Sequence, residues 1–285
     1  MDFAAHYLPK GFKTICVTGT DGKSTTAWIL YKLLCAEYGG EKVFLSGNFE
    51  VPFSETVRQI REKRLKRGYI VIEVSSFMAY NLSRPSSLKV LESLPKGERI
   101  GGFHPNYSIF TNFETDHLNW HPNLQDYFDS KMRVFEITTG ISAINAQVFE
   151  KAKKLGLKAP KLGNVRIFGE GKNRVDYPHI IVSGRRKYTM EETNFSGIHN
   201  AMNILSAVIV TSTIKICSKH VREYLRSIAG LSHRLEFVTE KNGIRFVDDS
   251  KSTSAQSLIA ALGSFESNKK VFLIAGGSDK GDVFE

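Results

Sequence analysis

Apolar residues along this chain fall into short runs separated by longer amphipathic stretches. Thr14-Ile-Cys-Val-Thr18 and Tyr69-Ile-Val-Ile-Glu-Val74 are near-continuous apolar runs. Runs of that length, rich in β-branched residues, predict strands covered on both faces. Between Lys13–Thr18 and Tyr69–Val74 the pattern predicts a helix from Lys23 to about Tyr38, a short strand over Lys42–Ser46, and a helix capped by Ser54 that runs to about Lys66. Further strands are expected over Tyr107–Thr111 and Ile141–Asn145. A helix opened by Asn123 or Leu124 should reach Glu136, and another should end near Leu155. Strands alternating with helices imply right-handed βαβ units, and so an α/β fold with a mostly parallel sheet and flanking helices.

The pattern then changes. Val165–Phe168, His179–Val182 and Arg186–Thr189 read as short β segments, followed by helices over His199–Thr213 and Ser218–Ile228. Ala229-Gly-Leu-Ser232 reads as a hinge. Past it, Leu235–Glu240 and Ile244–Asp248 flank Asn242-Gly243, a strong hairpin signal. A helix over Ala255–Leu262 and a strand over Lys270–Ala275 complete the series. Residues 1–230 are therefore expected to form one central domain, and 231–285 the start of a partial Rossmann-like α/β domain. Ser83–Asn106, rich in Ser, Pro and Gly, reads as a long loop, a kind of segment that is usually functional or mobile.

Composition narrows the class. Of 285 residues, 41% are hydrophobic, enough for one sizeable core or two domains. The formal charge of +10 favours anionic partners. The densest basic run, Arg58–Arg67, lacks interleaved aromatics and reads as a solvated helix face rather than a nucleic-acid surface. Cys16, Cys35 and Cys217 lie in apolar settings without metal-ligand spacing, so buried free thiols are expected. No basic-then-apolar leader opens the chain, and Ala201–Val210 is too short to span a bilayer. A cytoplasmic protein is expected.

The strongest local chemistry is Val17-Thr-Gly-Thr-Asp-Gly-Lys-Ser-Thr25 between a strand and a helix. Backbone N–H groups of such a turn and the helix N-terminus form an anion site. Lys23 can reach the terminal phosphates, and Ser24 or Thr25 can offer Mg²⁺ a hydroxyl. Val17 occupies the position where the common phosphate loop has glycine, so this loop is a variant. Glu73 ends an apolar strand at the edge that faces the ligand crevice of parallel sheets. Taken alone it reads better as a solvent-facing glutamate than as a metal ligand. Asp116-His117 follows another strand, and Lys131 on its own reads as a surface lysine.

Seven segments nevertheless follow one another in the order found in Mur ligases. They are Gly19-Thr-Asp-Gly-Lys-Ser-Thr25, Glu73-Val-Ser-Ser-Phe77, Asn112-Phe-Glu-Thr-Asp-His117, Lys131-Met-Arg-Val-Phe-Glu136, Gly197-Ile-His-Asn200, Ser232-His-Arg234 and Asp248-Asp-Ser-Lys-Ser-Thr253. From about residue 11 onward the chain resembles that family, and the last motif is similar to its D-glutamate-adding branch. The resemblance implies an ADP-forming, ATP-dependent amide-bond ligase of peptidoglycan precursor synthesis, working through an acyl phosphate with two Mg²⁺ ions. Lys23, His117, Lys131 and Lys251 are the implied catalytic set. Gly19, Thr20, Asp21, Gly22, Lys23, Ser24, Thr25, Asn200, Asn203, Arg234 and Asp249 would hold the nucleotide. Asn48, Ser75, Thr253 and Lys280 would meet substrate. Ser24 and Glu73 would bind one Mg²⁺, and His117 with a carbamylated Lys131 the other. Carbamylation turns a cationic amine into an anionic oxygen ligand. The implied partners are a UDP-linked muramoyl-alanine substrate and D-glutamate, with no nucleic acid and no membrane insertion, in a monomer.

The chain also departs from the pattern. Its phosphate strand starts near residue 13, leaving no room for an N-terminal UDP-binding domain, and it stops soon after Lys280, so the C-terminal domain is expected to be truncated. A complementary chain would then supply what is missing. Two other readings remain: a nucleotide-binding fragment or degenerate homologue without turnover, and a folate-type polyglutamate ligase, which the Asp248–Thr253 motif disfavours.

Overall fold

The computed structural model describes residues 1–83, 102–176, 180–252, 255–265 and 270–277. Its centre is a six-stranded, all-parallel sheet in the order β2-β3-β1-β4-β5-β6. The strands are β1 (Gly11–Thr18), β2 (Val43–Gly47), β3 (Arg67–Glu73), β4 (Tyr107–Phe110), β5 (Ile141–Asn145) and β6 (Val165–Phe168). The chain leaves β1 toward one edge, returns as β3 beside β1, and then continues outward from the other side of β1 as β4. The direction of winding thus reverses around β1, and a reversal of this kind opens a crevice at the carboxyl ends of the strands.

Side-chain alternation assigns each strand residue to a face. Ile15, Val17 and Val71 join one buried cluster, with α2 (Lys23–Tyr38), α7 (Gly197–Thr213) and α8 (Ser218–Ser227). Cys16, Ile70 and Ile72 join the other. That second layer is built from α1 (Asp2–His6), α3 (Phe53–Glu62), α4 (Ser76–Tyr80), α5 (Leu124–Glu136) and α6 (Ala146–Lys154). Each strand is therefore apolar on both faces, which is why its sequence reads as a continuous run instead of an alternating one. A small antiparallel sheet of β7 (Asn173–Asp176), β8 (Ile180–Ser183) and β9 (Arg186–Thr189) packs Ile181 and Tyr188 into the α2–α7 side of the core.

The expected elements are present over most of the described chain, with instructive differences. Ser54 does not cap α3. Pro52 stands at that position, and Ser54 lies inside the first turn. The helix also ends at Glu62, not Lys66, because the chain closes there in a Schellman turn. Arg64 adopts φ 52°, its N–H bonds to Arg61 O (3.0 Å), and Leu65 N–H bonds to Ile60 O (3.1 Å). A left-handed arginine carries no glycine signature in sequence. The basic run proves to be this helix end plus the start of β3, with Arg58 paired to Glu55 and Glu62 on the exposed face. Of the cysteines, only Cys16 is fully buried. Cys35 is half-buried and Cys217 exposed, because Cys217 sits at the N-cap of α8. Helices α1 and α4 and strand β7 were not anticipated, being five, five and four residues long.

Beyond α8, Trp28 Nε1 donates to Ala229 O (3.0 Å) and ties the start of the Ala229–Ser232 segment to α2. Strands β10 (Glu236–Lys241) and β11 (Ile244–Asp248) form the expected hairpin, with Asn242 and Gly243 at φ 53° and 74°, as a type I′ turn requires. The described part of α9 (Ala255–Leu262) follows. The strand expected over Lys270–Ala275 is absent. Residues 270–277 pair with no strand among the described residues, and Phe272 and Ile274 stand 74% and 97% exposed. An apolar β-prone segment becomes a strand only beside a partner edge. The long-loop reading of Ser83–Asn106 and the first residue of the His179–Val182 segment fall largely or wholly outside the described residues. No helix among the described residues is long and apolar enough to cross a membrane.

The contact of α7 with α2 underlies the crevice, and Ile204 is fully buried within it. Ile204→Ala should destabilise the protein by about 2–5 kcal/mol, read as a lower urea midpoint at unchanged m-value.

Candidate active site

Four strand ends meet at the crevice: Gly47 of β2, Glu73 of β3, Thr18 of β1 and Phe110 of β4. Between β1 and α2 the loop turns on two glycines. Gly19 has φ 153°, and a Cβ there would lie 1.9 Å from Thr111 Oγ1. Gly22 has φ 74° and forms the left-handed N-cap of α2; its Cβ would lie 2.5 Å from Asn203 Oδ1. Only glycine fits either position. With Gly22 in this conformation the first N–H groups of α2 are left free to face an anion.

The loop is braced from the exit of β4. Asn112 Oδ1 accepts from Thr20 N–H (3.2 Å) and Asp21 N–H (2.8 Å), and Thr111 Oγ1 donates to Asp21 O (2.6 Å). Thr20 Oγ1 accepts from Glu114 N–H (2.9 Å) and lies 3.2 Å from the Tyr127 hydroxyl. Gln147 in turn holds both backbone groups of Phe113 (3.0 and 2.9 Å). No motif expectation assigned a role to Asn112, Thr111, Tyr127 or Gln147. Their signal in sequence is the Thr111-Asn112 pair at a strand end, whose bonding pattern emerges only on folding.

Lys23 Nζ donates to Thr20 O at 2.6 Å. Burial lowers its pKa, opposed by the charges of Glu73, Asp21 and Asp116, while Arg234 adds a small further lowering. Glu73 is 2% exposed, so it does not face solvent. Asn48 Nδ2 holds its Oε1 at 3.0 Å, and Asn48 N–H bonds to its backbone carbonyl at 2.9 Å. Its other oxygen, Oε2, is buried with no hydrogen-bond partner among the described residues. An orphaned carboxylate oxygen is costly, and a hard divalent cation is the partner that suits it.

Lys131 is not a surface residue either. It is 1% exposed, and its Nζ donates to Gly19 O (2.6 Å) while sitting 4.6 Å over the Tyr127 ring. Desolvation lowers its pKa well below the usual lysine value; Lys23 lowers it further, and Asp116, Asp21 and Glu73 oppose. The shift weakens the amine's hold on its proton. His117 adopts φ 54° and packs 4.9 Å from Phe77. Burial lowers its pKa, against the pull of Asp116, whose carboxylate is 3.4 Å from Nε2.

The remaining expected residues divide into those near the loop and those apart. Asn203 is buried against Gly22 and accepts from Thr26 Oγ1 (3.2 Å), bracing the turn. Asn200 Nδ2 bonds to Ser196 O (2.9 Å) one turn before it. Ser24 is half-buried and Thr25 buried in the first turn of α2. Ser75 caps α4, its Oγ accepting from Met78 N–H (3.2 Å). Arg234 acts electrostatically on Lys23, so it lies within reach of the loop. Asp249 Oδ1 accepts from Leu235 N–H (3.0 Å), and Lys251 is exposed, with its N–H bonded to His233 O (3.2 Å). Thr253 and Lys280 lie outside the described residues.

A strand–loop–helix anion cradle at the switch of a parallel sheet defines a phosphate-loop α/β domain. Residues 17–211 match the Mur ligase middle domain, and the chain belongs to the Mur ligase family. It is 35% identical over 274 residues to the UDP-N-acetylmuramoylalanine–D-glutamate ligase of Aquifex aeolicus, covering 95% of this chain and 58% of that protein. It is 32% identical over 291 residues to the corresponding ligase of a Hydrogenobaculum species, covering 98% and 60%. The chain thus spans about 60% of the length of these relatives. In fold it is similar to MurF of Acinetobacter baumannii, with a TM-score of 0.63 at 18% identity over 90% of this chain and 55% of that one.

Gly22→Ala should weaken nucleoside-triphosphate binding at least about tenfold, or about 1.4 kcal/mol, while the circular dichroism spectrum is retained. Calorimetric titration with an ATP analogue checks it; parent-like affinity would contradict the cradle geometry.

Proposed function

We propose that this chain carries the catalytic centre of an ATP-dependent ligase that joins D-glutamate to UDP-N-acetylmuramoyl-L-alanine in peptidoglycan precursor synthesis, in the cytoplasm. The observation that carries the reading is the convergence of a phosphate loop, the buried Glu73 carboxylate with its free oxygen, and the buried Lys131 amine on one crevice. The names of the curated relatives supply the substrates.

In this reading the γ-phosphoryl group passes from ATP to the substrate carboxylate. The bond from the γ-phosphorus to the β-bridging oxygen breaks, a carboxylate oxygen–phosphorus bond forms, and ADP leaves. The amine of D-glutamate then attacks the acyl carbon, loses a proton, and inorganic phosphate departs. Lys23 and the N–H groups at the start of α2 hold the triphosphate and offset charge on the transferring group. When bound, Mg²⁺ supplies further neutralisation of the phosphate oxygens. Ser24 and Glu73 are the residues that would hold one ion, with Asn48 steadying the Glu73 carboxylate and Ser75 beside it. His117 would hold the other with Lys131, whose neutral amine adds to CO₂ and releases a proton to leave an anionic carbamate. Asn200 and Asn203 would border the base. Arg234, Asp249 and Lys251 would close on the nucleotide from the second unit, and Thr253 and Lys280 would handle the incoming amino acid. Closure would keep water from the acyl phosphate.

The test is ATP-dependent phosphate release by the 285-residue chain, with the muramoyl-alanine substrate and D-glutamate added singly and together. Release that needs both is expected. Release with a folate and glutamate instead would reassign the substrate. Nucleotide binding without release under any pairing would leave a binding module. In the same protein supplied with ¹³C-bicarbonate, a carbamate carbon resonance should appear and be lost in Lys131→Met.

A further inference from the structure

A second histidine stands between the loop that bears His117 and the helix that bears Lys131. The His121 side chain is fully buried, and its Nδ1 lies 2.7 Å from Asp126 Oδ2. A carboxylate can only accept, so Nδ1 is the protonated nitrogen. Nε2 is buried with no partner among the described residues. The ring is walled by Trp120, Tyr127 and Phe77, at centroid distances of 4.5, 5.1 and 6.0 Å. No step proposed above uses it.

Its connections explain its place. His121 N–H and Trp120 N–H both donate to His117 O, at 2.9 and 3.1 Å, so the backbone makes one tight turn around His117. His117 is left-handed at φ 54°, a conformation unfavourable for a non-glycine residue that persists only where the surroundings enforce it. Asp126 lies in the first turn of α5, and its own N–H is capped by Asn123 Oδ1 at 2.9 Å. Tyr127, the next residue, lies under the Lys131 amine. Phe77 brings in α4, which begins three residues after Glu73. The Asn123 cap fixes only the residue adjoining the helix. The part-buried His121–Asp126 contact reaches back over it and fastens the His117 turn to the helix that presents Lys131.

We infer that His121 is a positioning residue: through Asp126 it sets the spacing between the His117 imidazole and the Lys131 amine, and so the affinity of the divalent cation those two would share. The inference rests on the ligand set of the proposed function. It has the logic of carboxylate–histidine pairs behind metal ligands, whose loss weakens metal binding about 10–100-fold.

His121→Phe preserves the ring among its aromatic neighbours and removes the buried unpaired nitrogen, so the fold should survive; Asp126→Asn perturbs the same contact from the other side. The probe is Mn²⁺, titrated by electron paramagnetic resonance in the presence of a non-hydrolysable ATP analogue, with His117→Ala identifying which site depends on His117. In both variants the His117-dependent Mn²⁺ site should weaken about tenfold or more while the other site and the melting temperature hold. Parent-like affinity at both sites in both variants overturns the inference. So does equal weakening of both sites together with a lower melting temperature, which would mark a structural role alone. A parent protein with no His117-dependent Mn²⁺ site overturns the underlying ligand set as well, and separates that failure from the first.

Discussion

Two lysine amines bond to one loop, Lys131 fully buried and Lys23 half-buried. Lys23 caps the carbonyl of Thr20 and Lys131 that of Gly19, consecutive residues of the same turn. Burial lowers the proton affinity of both, and the Lys23 charge lowers that of Lys131 further, so two full positive charges there are disfavoured. The acidic groups around them, Asp21, Glu73 and Asp116, counter only part of that. The crevice thus gathers two amines and three carboxylates around a single turn.

The sheet makes this convergence possible. Because winding reverses at β1, the ends of β3 and β4 flank the end of β1. Glu73 and Asn112 arrive on opposite sides of the phosphate loop without any long excursion of chain. Asn112 and Thr111 then hold the loop from one side, and Asn203 of α7 holds it from beneath. Side chains from two distant parts of the sequence thus preset a turn of seven residues, Gly19 to Thr25.

Much of the architecture was legible before folding, because strands buried on two faces leave continuous apolar runs and α2 lies between a glycine turn and Gly39. The phosphate loop was legible for the same reason: two glycines, a lysine and hydroxyls occupy a small window. The burial of Lys131 was not. Its neighbours Ser130, Arg133 and Glu136 give the helix a polar look, and only the packing of α5 under the loop removes the amine from water. The end of α3 escaped notice because an arginine, not a glycine, takes the left-handed position. The expected strand at Lys270–Ala275 had the right residues but no described edge beside it. Pattern identifies what a segment prefers, whereas pairing depends on what else is present.

The bond from the Trp28 indole to the Ala229 carbonyl has a mechanical consequence. It sits on α2 little more than a turn past Lys23, and it grips the first residue of the segment leading to Arg234 and Asp249. A linker held at its root has lost its translational freedom and kept its torsional freedom. The segment beyond Ala229 therefore starts from a point fixed to the same helix that carries Lys23. Where that segment begins is thus indexed to the helix that follows the glycine turn, not to the sheet beneath it.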